Sequence, residues 1–233
     1  MTAPTNRAFY DSEVTALGYL GHALTPGEIV LVEELEREPG PLLDLGCGAG
    51  RFYGLLSGRR HVVGIDYVRR PLALHHARFP DAELVQATAT TLPLRDHAFG
   101  TVLLGYHVIE SILPWRARAD AFDEAARVLI EGGGAFLTRH VRRNYHPWQQ
   151  VALFVTRRVT SFGDITGHAR PMGSGQHAAH FTMHVASEAA VRRMTARAAL
   201  NFVRSWDFDT GGPVSRRSRA VVEHYVMGAK AAG

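Results

Sequence analysis

The sequence predicts an α/β protein built as one domain on a doubly wound, mostly parallel sheet. Three observations carry that expectation. The apolar run Leu42, Leu43 and Leu45 reads as a buried strand and passes into Gly46, Gly48 and Gly50, a glycine-rich turn that opens a helix. Further short apolar runs alternate with helix-period segments along the chain, the order that builds parallel strands joined by crossover helices. A length of 233 residues suffices for one such domain with a full core and is short for two.

The elements follow in order. Residues 8–20 and 26–37 have helical periodicity, and the second helix opens on Thr25, Pro26 and Glu28, a capping box with proline at the first helical position. Together they make a helical leader over residues 1–39. After the glycine loop, Phe52 to Leu56 continues a helix that stops at Gly58, and His61 to Ile65 forms a second strand closing at Asp66. A helix then runs through Leu72, Leu74 and Phe79, with Val68 and Arg69 at its entry and no capping side chain. Ala82–Gln86 is the third strand and Thr101–Gly105 the fourth and central one. The carboxyl end of that fourth strand delivers Tyr106, His107 and Glu110 to the crevice where open α/β sheets bind ligands. Residues 115–130 form an amphipathic helix with Phe122, Ala126 and Leu129 on one face, turning into a fifth strand that ends near His140. An insertion over 141–186 holds a helix around Trp148–Val159 and a glycine-rich stretch. Residues 187–233 close the chain with a helix capped by Ser187 and strands at Phe202–Phe208 and Ala220–Met227.

Composition narrows the function classes. Hydrophobic residues make up 46% and charged residues 21%, as in a soluble globular protein, and no apolar run approaches the roughly 20 residues of a membrane span. The first residues lack the apolar core of a signal peptide, so a cytoplasmic location is expected. Cys47 is the only cysteine, which excludes an internal disulfide and a cysteine-rich metal site, and its place in the glycine loop suggests packing. The net charge of +4 comes almost entirely from arginines scattered among acids, Lys230 being the only lysine, and this scatter argues against a nucleic acid partner.

The loop itself is informative. A dinucleotide fingerprint carries a third glycine three residues after the second, where this chain has Arg51, so the spacing argues against NAD or FAD. Asp44 before the first glycine, with glycines at alternate positions, resembles motif I of class I S-adenosylmethionine-dependent methyltransferases. The resemblance continues through Asp66, the turn Leu92, Pro93 and Leu94, and the turn at 126–133, where Ile130 and Glu131 replace the usual Lys and Pro. It covers residues 40–140 strongly and the C-terminal helix and strand pair loosely, and implies a Rossmann-like seven-stranded sheet with an antiparallel edge strand and a substrate lid in the 141–186 insertion. The implied cofactor is S-adenosylmethionine, leaving as S-adenosylhomocysteine.

The resemblance also implies a cofactor site. Asp44, Gly46, Cys47, Gly48 and Gly50 form its loop. Asp66 stands where a carboxylate accepts both ribose hydroxyls, and Tyr67 is placed to lay its ring against adenine. Thr88, with Ala89 beside it, takes the position of an Asp that binds the adenine amino group, and its hydroxyl accepts the same bond without charge assistance. Gly100 replaces another frequent Asp. Tyr10 or Tyr19 of the leader would reach the methionine end, or simply pack the leader onto the sheet, and Tyr106 lies beside it.

For catalysis, methyl transfer is an in-line displacement that depends on alignment, with a base where the acceptor carries a proton. His107 is the first candidate base and His140 the second, both at carboxyl strand ends. His168, His177, His180 and His184 are spaced by nine, three and four residues, which fits no standard zinc pattern, so no metal is expected. Arg139, Arg142, Arg143 and Arg170 flank the crevice and suit an anionic group. The acceptor expected is a small molecule, anionic where those arginines hold it, methylated on oxygen or nitrogen. The alternatives are an RNA or protein methyltransferase and a non-catalytic protein that binds the same nucleoside. No membrane partner is expected.

Overall fold

The computed structural model describes residues 6–114, 116–141, 164–169 and 179–228. The leader's first expected helix is two: α1 (Arg7–Tyr10) and α2 (Glu13–Gly21). They break at Asp11 and Ser12, where Ser12 turns extended; such side chains compete with helical backbone bonds and favour helix ends. α3 (Pro26–Arg37) begins as expected, with both capping-box bonds formed: the Glu28 N–H donates to Thr25 Oγ1 at 3.2 Å and the Thr25 N–H to Glu28 Oε2 at 2.9 Å.

β1 (Leu42–Leu45), β2 (Val62–Asp66), β3 (Glu83–Gln86), β4 (Phe99–Leu104) and β5 (Leu129–His140) are parallel. α4 (Tyr53–Leu56), α5 (Arg69–Arg78), α6 (Val108–Ser111) and α7 (Ala117–Val128) lie between them in the chain. After α8 (Glu188–Arg197), whose cap bond runs from the Ala190 N–H to Ser187 Oγ, come β8 (Leu200–Asp207) and β9 (Ala220–Met227). The seven-stranded order is β3-β2-β1-β4-β5-β9-β8, and β9 runs antiparallel to both of its neighbours. The reversed pair at this edge is the expected departure from a parallel sheet.

Alternate strand residues feed two cores, as double winding requires. Leu42, Leu103 and Phe136 pack with Leu31 and Leu35 of α3, whereas Leu43, Val102, Leu104 and Leu137 pack with Phe122 and Ala125 of α7. Each such leucine contributes about 1.5–3 kcal/mol on burial. The glycine at position 100 has a local reason: a Cβ there would stand 2.0 Å from the Pro39 carbonyl oxygen, so the chain entering β1 crosses β4 too closely for an Asp.

The insertion was not legible as strands, yet it contributes β6 (Asp164–Ala169) and β7 (Ala179–His184), an antiparallel hairpin apart from the main sheet. The helix expected around Trp148–Val159 lies outside the described residues. None of the described helices is long and apolar enough to cross a membrane.

Candidate active site

Four strands end on one side of the sheet at a cavity of about 350 Å³. In sheet order, Thr88 and Ala89 follow β3, Asp66 and Tyr67 end β2, Gly46, Cys47 and Gly48 follow β1, and Tyr106 follows β4; all of them line it. Neighbouring strands lie about 4.8 Å apart, so the row from β3 to β4 spans about 14 Å, the reach of a nucleoside carrying an extended amino-acid chain. Gly48, at φ +52°, has open space where a side chain would stand, and its bare backbone faces the cavity. Gly50 is different. It backs onto the fully buried His75, which a Cβ would meet at 2.8 Å, so it lets the loop close instead of touching a ligand.

Asp66 is oriented by the loop beside it. Its Oδ2 accepts the Gly48 N–H at 3.0 Å and its Oδ1 the Val68 N–H at 2.9 Å, leaving each oxygen another lone pair for a diol. The second bond also steadies the entry to α5, where Val68 has no side chain to cap with. Burial lifts the Asp66 carboxyl above its usual value, while the N–H groups of Val68, Gly48 and Tyr67 pull it back.

Asp44 stands behind the wall and does not line the cavity; at 4% exposure it is pushed up from 3.8 to about 7, first by burial and then by the charge of Asp66. Two acids in so dry a wall favour a cationic ligand. Between 3.8 and about 7 the folded chain holds a proton on Asp44 that the unfolded chain has released, so this residue's contribution to stability falls as pH rises through that window. Asp44→Asn is therefore expected to raise the ligand-free thermal midpoint at about pH 8 and leave it unchanged at about pH 4. Scanning fluorimetry at both pH values reads this; equal midpoints for both proteins at the higher pH would refute it.

The roof is polar at its seams. Arg51 donates through Nε to Glu28 Oε1 at 2.8 Å and through Nη2 to Glu28 Oε2 at 2.7 Å, and through Nη1 to the His22 carbonyl at 3.1 Å. Its guanidinium carbon also lies 4.5 Å from the Tyr106 ring centroid. Asn6, 3% exposed, donates to the carbonyls of Ser111 (3.2 Å) and Thr182 (2.6 Å) and accepts the Thr182 N–H (2.9 Å), joining leader, α6 and β7. Tyr10 shares a 2.7 Å hydroxyl bond with Ser111.

Beside the cavity lies a histidine cluster. Tyr106 and His107 both occupy the left-handed region, at φ +47° and +62°, strain of about 1–3 kcal/mol each that typically gathers at functional sites. The His107 N–H donates to Thr138 Oγ1 at 2.7 Å, and its ring stacks on His140 with centroids 3.9 Å apart. Its Nδ1 is buried without a partner, and burial, then His140, hold the imidazole well below its usual pKa, so it is neutral. Glu110 on α6 accepts the His140 N–H through Oε1 at 2.6 Å and hydrogen-bonds His140 Nδ1 through Oε2. Buried Arg118 braces this turn, donating to the carbonyls of Ile109 and Glu110. A carboxylate accepting from Nδ1 sets the tautomer and leaves the lone pair of His140 on Nε2. Neither ring lines the 350 Å³ cavity, although Tyr106, Val108 and Ser111 do.

Residues 43–137, from β1 into β5, match the methyltransferase domain family. Over 123 residues the chain is 31% identical to a probable S-adenosylmethionine-dependent methyltransferase of Mycobacterium tuberculosis, an alignment covering 52% of this chain and 43% of that protein. Over residues 43–137 the chain is thus similar to a methyltransferase domain of the S-adenosylmethionine-dependent kind. A phosphatidylethanolamine N-methyltransferase of Cereibacter sphaeroides is 31% identical over 130 residues, covering 53% of this chain and 62% of that protein. The matches thus span about half the length of the curated relatives. The CcbJ methyltransferase of Streptomyces caelestis shares the fold of the methyltransferase domain and its flanks, with a TM-score of 0.69 at 18% identity over 97% of each chain.

The cofactor of a methyltransferase domain of this kind is S-adenosylmethionine, and the cavity fits it. The bare Gly48 backbone, the Asp66 lone pairs and the acidic wall match a ribose and a cationic methionine end. Cys47 lines the cavity but is 5% exposed with its thiol pushed up by burial, a packed group in the methyltransferase domain's loop. Thr88 has its hydroxyl 2.9 Å from that of Thr90, and burial lifts the Tyr67 phenol to about 12.

Other expected site residues fall differently. Tyr10 lines the cavity, whereas the side chain of Tyr19 lies outside the described residues, as do Arg142, Arg143, Arg170, His177 and the side chains of His168 and His180. Arg139 is not available to an anionic acceptor. At 6% exposure it donates through Nε and Nη2 to both oxygens of Glu223 at 2.9 and 2.6 Å, so its charge is spent inside the fold. Sequence reasoning missed Arg51 and Asn6 as roof-forming residues. Arg51 had one signal, its occupation of a glycine's place in the loop; Asn6 had none, because its partners lie 105 and 176 residues away.

Proposed function

We propose that the whole chain is a methyltransferase acting on an oxygen or nitrogen of a small molecule. One observation carries this reading: four successive strand ends, from Thr88 to Tyr106, surround one cavity roofed by the leader, which Asn6 fastens to the β6–β7 hairpin. A roof fastened through Asn6 and Arg51 suits a small acceptor better than a macromolecule, and Leu20, Ile112 and Leu113 offer it apolar walls. S-adenosylmethionine bound there supplies a methyl carbon on a sulfonium, ready for in-line transfer to a lone pair.

The chain's own residues do the rest. Asp66 and Thr88 hold the nucleoside, Asp44 and Asp66 favour the cationic end, and the roof excludes water. Where the acceptor carries a proton, His140, oriented by Glu110 and stacked on the His107 ring, takes it. The similarity to a protein named phosphatidylethanolamine N-methyltransferase is a reason to include amines in the acceptor panel.

Transfer of a tritiated methyl group from S-adenosylmethionine to a panel of small phenols, alcohols and amines, with tRNA and a cell protein extract alongside, tests the reading. Label is expected on at least one small molecule. Label confined to RNA or protein, or no transfer by a protein that binds S-adenosylhomocysteine, would overturn it.

A further inference from the structure

We propose that His107, Glu110 and His140 form a binding site for a divalent transition ion of the zinc class, and that the bound ion silences the proton acceptor. Binding stands on the cluster alone; the silencing rests on the function proposed above.

Among the described residues these three side chains bring their ligand-capable atoms within 4.8 Å of one another. They come from two neighbouring strand ends, His107 and Glu110 after β4 and His140 at the end of β5. Two imidazoles and one carboxylate are a donor set that holds zinc with a coordination position left open, whereas magnesium and calcium prefer oxygen alone.

Three features favour a ligand over packing. The buried Nδ1 of His107 has no partner, a cost that a metal ion at this ring would offset. Glu110 is held by the His140 N–H, and its turn is braced by Arg118, the outer support that orients metal ligands. The His140 side chain keeps 24% exposure, enough for an ion to enter.

Tetrahedral zinc places its donor atoms about 3.4 Å apart, so binding tilts the two rings out of their stack and replaces the proton shared by His140 and Glu110 with the ion. Ion and proton then compete for the same lone pairs, and a chain carrying zinc has no base to offer.

The test is calorimetric titration of zinc chloride into the full chain, with S-adenosylhomocysteine binding as the check on folding. One zinc per chain is expected in the wild type, weakened about tenfold or more in both Glu110→Gln and His140→Ala while nucleoside binding persists. The pair His180→Ala with His184→Ala is expected to keep it. Loss in that pair instead, or equal zinc binding by wild type and Glu110→Gln, overturns the site. One equivalent of zinc is expected to suppress methyl transfer relative to a chelator-treated sample, and unchanged transfer overturns the silencing. Tight zinc binding by a wild type that ignores S-adenosylhomocysteine supports the site while removing the methyltransferase reading.

Discussion

Asp66→Ala is expected to weaken S-adenosylhomocysteine binding about a hundredfold or more, read by calorimetry at one pH and one salt concentration. Each hydrogen bond to a charged group is worth about 1.5–3 kcal/mol, and a ribose diol makes two to the same carboxylate, so roughly 3 kcal/mol is at stake. Removing the carboxylate also strips the Gly48 and Val68 N–H groups of their acceptor, loosening the loop and the entry to α5. Asp66→Asn separates the two effects, since it keeps an oxygen for one N–H and one hydroxyl but loses the charge. An affinity within a few-fold of wild type in Asp66→Ala would mean that the nucleoside is held elsewhere.

His140→Ala is expected to lower kcat by roughly 10²–10⁴ for an acceptor that must lose a proton, with S-adenosylhomocysteine affinity unchanged. The expectation stands on the Glu110 carboxylate at Nδ1, the arrangement that fixes a histidine's tautomer and ring orientation. Glu110→Gln tests the pairing, because it preserves shape and removes the charge; its kcat is expected between the two. Single-turnover transfer of labelled methyl isolates the chemical step. A wild-type rate in His140→Ala would take the base away from this cluster.

The parts of the fold that were legible in the sequence are those set by short-range chemistry. Thr25, Pro26 and Glu28 announced α3 because a capping box is complete within four residues, and the glycine loop announced β1 because the strand beside it is apolar at nearly every position. What depended on distant partners was not legible. Asp11 and Ser12 split a helix that periodicity alone joins, and the β6–β7 hairpin pairs residues that carry no clean alternation. Arg139 looked like a free cation until Glu223, 84 residues away, was found to neutralise it. The site divides in the same way: Asp66 and the loop could be located from their own strand ends, whereas the contact between His107 and His140 required β4 and β5 to be neighbours.

Glu28 belongs to two structures at once. It completes the cap of α3 and it holds Arg51, while Asn6 ties the leader to α6 and to β7 and Tyr10 adds a second bond to α6. These contacts are polar and partly buried, so breaking one leaves its donors and acceptors without partners, and the seams are expected to open together. On the methyltransferase reading proposed above, spent cofactor is expected to leave only when these seams open, so its residence time should follow the frequency of that opening.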